Sequence, residues 1–288
     1  VSTPWLIALA VAKVLPKKAT PLIFAALGGV ISENGGIVNI ALEGIMAGGA
    51  FAAVVTSYRT HDVVLAIFVA VLTGMALAAV LAYFALAQSA DQIVVGMAIN
   101  ILTLGMTAYL VSTVFGQPGA SPEVPGLRNE AVLTWVALAL VVVVHVILYR
   151  TRIGIHLRAV GEEPRAAATA GINVVAYRYA ATIAGGALAA LGGAYLSVGE
   201  THIYSDGMVA GRGFIALAAV IFGKWTPFGA AGACAFFALF SSLQIVLQGG
   251  AVPAQFLEML PYLLTIVAIA GFIGRARPPA SDGVPYER

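Results

Sequence analysis

"VVLAIFVAVLTGMALAAVLAYFALAQSA", residues 63–90, carries no charged side chain. An α-helix rises 1.5 Å per residue, so about 20 apolar residues cross the hydrocarbon core of a bilayer. This run is long enough to do so. Four other uncharged runs match it: Gln92–Phe115, Ala131–Tyr149, Tyr179–Gly199 and, after Lys224, Trp225–Leu257. The last of these has room for one span plus a loop containing Gly249, Gly250 and Pro253, and Met259–Gly274 makes a final span.

Composition agrees. Of 288 residues, 60% are hydrophobic and only 10% charged, and the mean hydropathy is +0.96. A soluble domain of this size needs more charge to cover its surface, so the chain is an integral membrane protein. Thirty-two glycines suit helices that pack closely in lipid. No strand alternation appears, and the expected fold is all-α and polytopic. Eight to ten membrane helices are expected, nine being the central count, some interrupted and arranged as two related halves of one domain over 1–288. The first stretch, "VSTPWLIALAVAKVLPKK", has no basic region before its apolar run, which argues against a cleavable signal. It reads as a short first helix or as an interfacial segment.

The charges set the orientation. Arg150, Arg152, Arg158, Arg165 and Arg178 cluster between Tyr149 and Tyr179, and Arg275 and Arg277 follow the last apolar run. The positive-inside bias places residues 150–178 and the C-terminus in the cytoplasm. "GQPGASPEVPGLRNEA" (116–131) and "GETHIYSDGMVAGR" (199–212) then face outward. Lys17 and Lys18 fall outside on this count, against the bias.

Two stretches break the helical pattern in the same order: short apolar helix, polar glycine-rich turn, small-residue helix. They are "PLIFAALGGVISENGGIVNIALEGIMAGGAFAA" (21–53) and "GRGFIALAAVIFGKWTPFGAAGACAFFALF" (211–240). Paired interruptions mark the pathway of many transporters, although cytoplasmic turns between spans read the same way. Glu33 and Glu43 flank the first turn and are expected at the surface or capping a helix, since a carboxylate at the bilayer centre costs about 2.5–3.5 kcal/mol. Gln92, Gly96, Asn100, Thr103 and Thr107 recur every three or four residues and share one helix face. Such a face lines a solute path or bonds a neighbouring helix. His145 reads as interfacial, and Gly44 and Gly48 as a packing pair.

Enzyme chemistry is missing. "GRGFIA" (211–216) matches a dinucleotide pattern but lacks the surrounding βαβ unit, and no G-x-x-x-x-G-K-[ST], H-E-x-x-H or G-x-S-x-G occurs. Four scattered histidines and the single Cys234 offer no metal site or disulfide. No cofactor and no nucleic-acid partner is expected.

One segment is neither greasy nor an ordinary loop: "AVGEEPRAAATAGINV" (159–174). Pro164 can open a helix, the alanines favour one, Gly171 can close it in the left-handed region, and Glu162 and Glu163 sit at its positive end. Together with "SENGGIVNIALEGIMAGGAF" (32–51) and "GRGFIALAAVIFGKWTPFGA" (211–230), it resembles the signature regions of bacterial ABC importer permeases. The likeness runs from about Pro21 to Gly274. The most similar branch moves nucleosides and simple sugars and is related to ribose and branched-chain amino-acid permeases. Two departures stand out: Glu163 where that branch usually has Asn, and Thr226 where Asn is common.

The resemblance implies an ATP-driven importer of nucleosides or simple sugars. ABC ATPase subunits would dock on a short coupling helix, with Gly161, Glu162, Glu163, Pro164, Ala167, Ala168, Ala170 and Gly171 as the coupling residues. It also implies a second permease subunit, a longer homologue or a second copy, and an extracytoplasmic solute-binding protein, all at the bacterial inner membrane. Asn39, Asn100, Thr103, Gly211 and Phe214 are the expected path residues. An ion-coupled secondary transporter of small polar solutes is the other reading. It calls for a carboxylate in mid-span, and the long spans contain none.

Overall fold

A computed structural model describes residues 4–247 and 277–286. The expected span Met259–Gly274, the loop with Gly249, Gly250 and Pro253, and Arg275 lie outside the described residues. Ten α-helices run in order: α1 (Pro4–Asn34), α2 (Leu42–Thr60), α3 (Val63–Ala87), α4 (Gln92–Phe115), α5 (Ala131–Arg150), α6 (Arg152–Glu162), α7 (Pro164–Thr169), α8 (Val174–Ala194), α9 (Arg212–Phe222) and α10 (Pro227–Leu247). Helix α8 continues into a π-helical segment, Tyr195–Thr201. The described residues form no strand, only an isolated bridge between Ala120 and Ser205. Six described helices are long and apolar enough to cross a membrane.

The N-terminal stretch is not a separate segment. Helix α1 runs unbroken through Pro16 and Pro21. Proline removes one backbone donor, so Pro16 and Pro21 leave the carbonyls of Ala12 and Lys17 without their helical partners, and the Thr20 hydroxyl adds a bond to the Pro16 carbonyl at 2.7 Å. The lysines that defied the charge rule are neutralised: Lys17 pairs with Glu130, and Lys18 with Glu200 at 2.7 Å. Both pairs lie at the end of the bundle opposite residues 150–178.

Helices α1 and α8 are mostly buried, whereas α3, α4, α5 and α10 bury only about a quarter of their residues. The first pair, with the buried start of α2, therefore makes the core, and the others present apolar faces outward. Glycine sets the closeness of this core. A Cβ on Gly28 of α1 would lie 2.3 Å from the Gly185 carbonyl oxygen of α8, and one on Gly74 of α3 would lie 2.4 Å from that of Gly186. No side chain fits at either crossing, so backbones touch directly. Asp62 and Asp91 cap α3 and α4 through their side chains, and Gly116 ends α4 in the left-handed conformation.

Candidate functional site: the junction of the broken segments and the coupling helix

The two interrupted segments meet. Helix α9 has 11 residues and so reaches only about 16 Å, half the length needed to span. Beside it, the chain between α1 and α2 runs non-helically from Gly35 to Ala41. The two are tied at both ends. At the C-terminal end of α9, Trp225 donates its indole N–H to Glu33 Oε2 at 2.5 Å, and Asn34 Nδ2 donates to the Trp225 carbonyl at 3.0 Å. At the N-terminal end, the Glu43 carboxylate accepts from the backbone N–H of Gly211 at 2.8 Å and of Gly213 at 2.7 Å. A carboxylate there satisfies orphan donors and meets the positive end of the helix dipole.

The two glutamates do hold the turn, but from buried positions, 2% and 5% exposed, and each does so by bonding the other broken segment. Removing the Glu43 carboxylate strands two donors. Glu43→Ala should cost about 1–3 kcal/mol, read as a lower melting temperature of the purified protein in detergent.

The polar face of α4 grips the same non-helical stretch. Gln92 Oε1 accepts from Val38 N at 2.8 Å. Asn100 Oδ1 accepts from Gly44 N at 2.7 Å, and its Nδ2 donates to the Ile40 carbonyl at 2.9 Å. Gly96 lies against Ile40 and Ala41, and Gly48 against Thr103. Irregular backbone away from water must have its amides met by protein, and this face meets them. Among the expected path residues, Asn100 thus spends both ends of its amide on backbone. Asn39 is fully buried and has no partner for either side-chain atom, and the buried Thr103 hydroxyl also lacks one. Gly211 opens α9 with φ +79°, and Phe214 is exposed.

The segment 159–172 forms the helix its residues call for. Pro164 stands in the first turn of α7, and Gly171 takes φ +83°. Gly171 N donates to the Ala168 carbonyl at 2.9 Å and Ile172 N to that of Ala167 at 3.0 Å, the paired bonds of a Schellman C-cap. Glu162, Glu163, Arg165, Ala166, Thr169, Ala170 and Gly171 are exposed, and Ala168 is half-buried. Ala167 is not on that face: at 4% exposure it packs with Val160 and Val174. Sequence alone could not tell the inner alanine from the outer ones, because they are chemically alike.

Behind α7 the coupling segment touches the first broken turn directly. A Cβ on Gly161 would lie 2.1 Å from the Asn34 carbonyl oxygen, so α6 rests on the backbone of the residue whose side chain bonds Trp225. Three stretches far apart in sequence, around Asn34, Gly161 and Trp225, therefore share one junction. Two of its residues were not singled out from sequence. Arg178 counted only as a positive charge, yet it is fully buried and its guanidinium lies against Gly36. The signal was its place inside an otherwise apolar helix. Trp225 has φ +54° and Lys224 φ +53°, a conformation a bulky residue rarely holds; nothing in the residue types announced it. From the C-terminal segment, Ser281 also bonds Gly161, and burial pushes the nearby Asp282 carboxyl up to about 7, against the pull of Arg178.

Comparison with known proteins agrees with this geometry. Residues 17–269 match the family described as "Branched-chain amino acid transport system / permease component". The nucleoside ABC transporter permease protein NupC of Lactococcus lactis subsp. cremoris (strain MG1363) is 38% identical, covering 93% of both chains. The guanosine ABC transporter permease protein NupQ of Bacillus subtilis (strain 168) is also 38% identical over the same shares. The fold is shared, at 17% identity and TM-score 0.55, with a transporter assigned to the metal-chelate type of ABC transporter and solved facing inward. That match covers 90% of this chain and 87% of the other. Permeases of this kind are multi-pass inner-membrane subunits that work with an ABC ATPase and a substrate-binding component and carry no ATPase of their own. The chain belongs to the permease-component family of branched-chain amino acid transport systems.

Proposed function

We propose that this permease imports nucleosides as a single transmembrane domain paired with a second permease subunit. The ATPase would dock on the exposed face of α7. The observation that carries this reading is the shared junction: a partner pressing on α7 moves α6, and Gly161 of α6 sits on the turn between α1 and α2. That turn is bonded to both ends of α9 through Glu33, Asn34 and Glu43. A push at one end of the bundle therefore reaches a half-length helix beside a non-helical stretch. Discontinuous elements of this kind form substrate sites in transporters. The nucleoside assignment draws on the names of the two permeases that match over nearly their whole length.

In this scheme the substrate passes along the outward face of α9, past Phe214 and Gly211. Asn39 and Thr103 hold buried polar groups that no protein atom claims among the described residues, and these reach substrate only when the coupling push opens the α1–α2 turn. Asn100 acts as the clamp of the broken segment. Asn100→Leu should therefore lower the yield of folded permease and, in what survives, weaken uptake without changing which solutes compete. A changed competition profile at normal yield would return Asn100 to the path.

We also propose that the end carrying residues 150–178 and the C-terminal segment faces the cytoplasm. The lysines at the other end are paired with glutamates, which removes the objection that the positive-inside bias raised. Single cysteines in a background with Cys234 replaced test the orientation with an impermeant thiol reagent on intact cells. Gln117→Cys and Asp206→Cys should react from outside and Thr169→Cys should not; the opposite pattern inverts the topology and removes the docking reading with it. Substrate identity is tested by binding tritiated nucleosides to the partner substrate-binding component, and by competition with pentoses and free bases.

A further inference from the structure

Arg178 is among the largest side chains in the chain that are fully buried, and among the described residues no carboxylate lies within salt-bridge distance of it. Burying a guanidinium is costly unless its donors are met. Here the C-terminal segment meets its two terminal nitrogens, while Nε is buried without a partner among the described residues. Nη1 donates to the Val284 carbonyl at 3.1 Å, and Nη2 to the Ser281 hydroxyl at 3.0 Å. Ser281 in turn donates its hydroxyl to the Gly161 carbonyl at 2.6 Å and its backbone N–H to the same oxygen at 3.0 Å. Next to it, Ala280 N points at Glu162 Oε2 at 3.4 Å. Tyr286 packs on the apolar cluster that holds Ala167 and lies 5.9 Å from the Arg178 guanidinium. On its other side the guanidinium fills the space over Gly36, where a Cβ would lie 2.7 Å from Nη2. Gly36 also takes φ +85°, so both space and backbone require glycine there.

Three moving parts of the proposed mechanism thus meet on one arginine: the coupling segment through Ser281, helix α8 through Arg178 itself, and the α1–α2 turn through Gly36. We propose that residues 280–286 form a strap that makes Arg178 the positioning residue of coupling, joining these parts so that ATPase movement and substrate arrival reach each other. The strap is proposed as distinct from the dock: it borders Glu162, Glu163 and Arg165 at the start of α7, whereas Thr169 and Ala170, which do not line that groove, are exposed. This inference rests on the docking reading above.

The test uses the assembled importer, with its ATPase and substrate-binding component, reconstituted in liposomes. It compares a chain truncated after Pro279, Ser281→Ala, Arg178→Lys and the conservative Ser281→Thr. Three quantities are read: ATPase retained on purification, basal ATP hydrolysis, and the factor by which loaded binding component stimulates hydrolysis. The truncation, Ser281→Ala and Arg178→Lys should keep the ATPase and the basal rate. Stimulation should fall about tenfold, within the usual range for coupling between two sites, and Ser281→Thr should restore it. Unchanged stimulation in the truncated chain and in Ser281→Ala would overturn the strap. Loss of ATPase in parallel with stimulation would overturn it too, since the segment would then be part of the dock or of the fold. Ala170→Arg in the same preparation separates the two ideas. If it keeps both ATPase and stimulation, the docking reading itself fails. If it sheds the ATPase while the strap variants behave as the parent, only the strap fails.

Discussion

Ala170→Arg should give a permease that inserts at normal levels, loses its ATPase on purification and takes up substrate about a hundredfold more slowly. Ala170 is exposed at the C-terminal end of α7, where its N–H bonds the Ala166 carbonyl at 3.1 Å and its side chain meets no core. An arginine there leaves the helix and its left-handed glycine cap intact, so the permease should fold. A docking surface rich in alanine and glycine offers a flat, small-featured face. A long charged chain would hold the partner off or lose its own hydration. A hundredfold loss corresponds to about 2.8 kcal/mol of docking free energy, a reasonable toll for one badly placed charge at the centre of an interface. Ala167→Arg, three residues earlier, should behave differently. Ala167 is buried against Val160 and Val174, so that change should unfold the coupling segment and reduce the protein recovered. The pair separates contact from support on adjacent turns of one short helix, with co-purification and expression level as readouts.

Gly161→Val should leave the ATPase attached and still abolish transport. The outer face of α7 is untouched by this change, but the first new carbon would stand 2.1 Å from the Asn34 carbonyl oxygen. Backbone cannot yield there without moving the Glu33 and Asn34 bonds to Trp225. Overpacking of this kind costs about 1–3 kcal/mol and sometimes more. The expected result is a melting temperature several degrees lower, retained ATPase, and hydrolysis that no longer answers to loaded binding component. Normal stimulated hydrolysis in Gly161→Val would mean that the contact between α6 and the α1–α2 turn transmits nothing.

Much of this was legible in the residues, and the reasons are local. Long uncharged runs announce helices whatever their neighbours, and α4 begins and ends where its uncharged run does, at Gln92 and Phe115. Helix α7 was legible for the same reason: proline, alanines and glycine state its start, body and stop within eight residues. Partnership was harder. The periodic face from Gln92 to Thr107 could be seen, but that its amides bind the backbone at Val38, Ile40 and Gly44 depends on a fold that brings α4 beside a broken turn. The continuity of α1 was not legible because a proline inside an apolar run does not say whether the helix goes on; Pro16 and Pro21 each remove only one backbone donor, and α1 runs through both. Arg178 was missed as a joint because its ligands come from more than a hundred residues away.

The most direct test of the account is a photo-crosslinking amino acid placed at Thr169 and, separately, at Asn129 in the assembled importer. Thr169 lies on the exposed face of α7, and Asn129 is exposed near Glu130, at the opposite end of the bundle. Illumination should join the Thr169 variant to the ATPase subunit and give no such product from Asn129. An ATPase adduct from Asn129, or none from Thr169 while the ATPase still co-purifies, would contradict the claim that this permease is driven through its coupling helix.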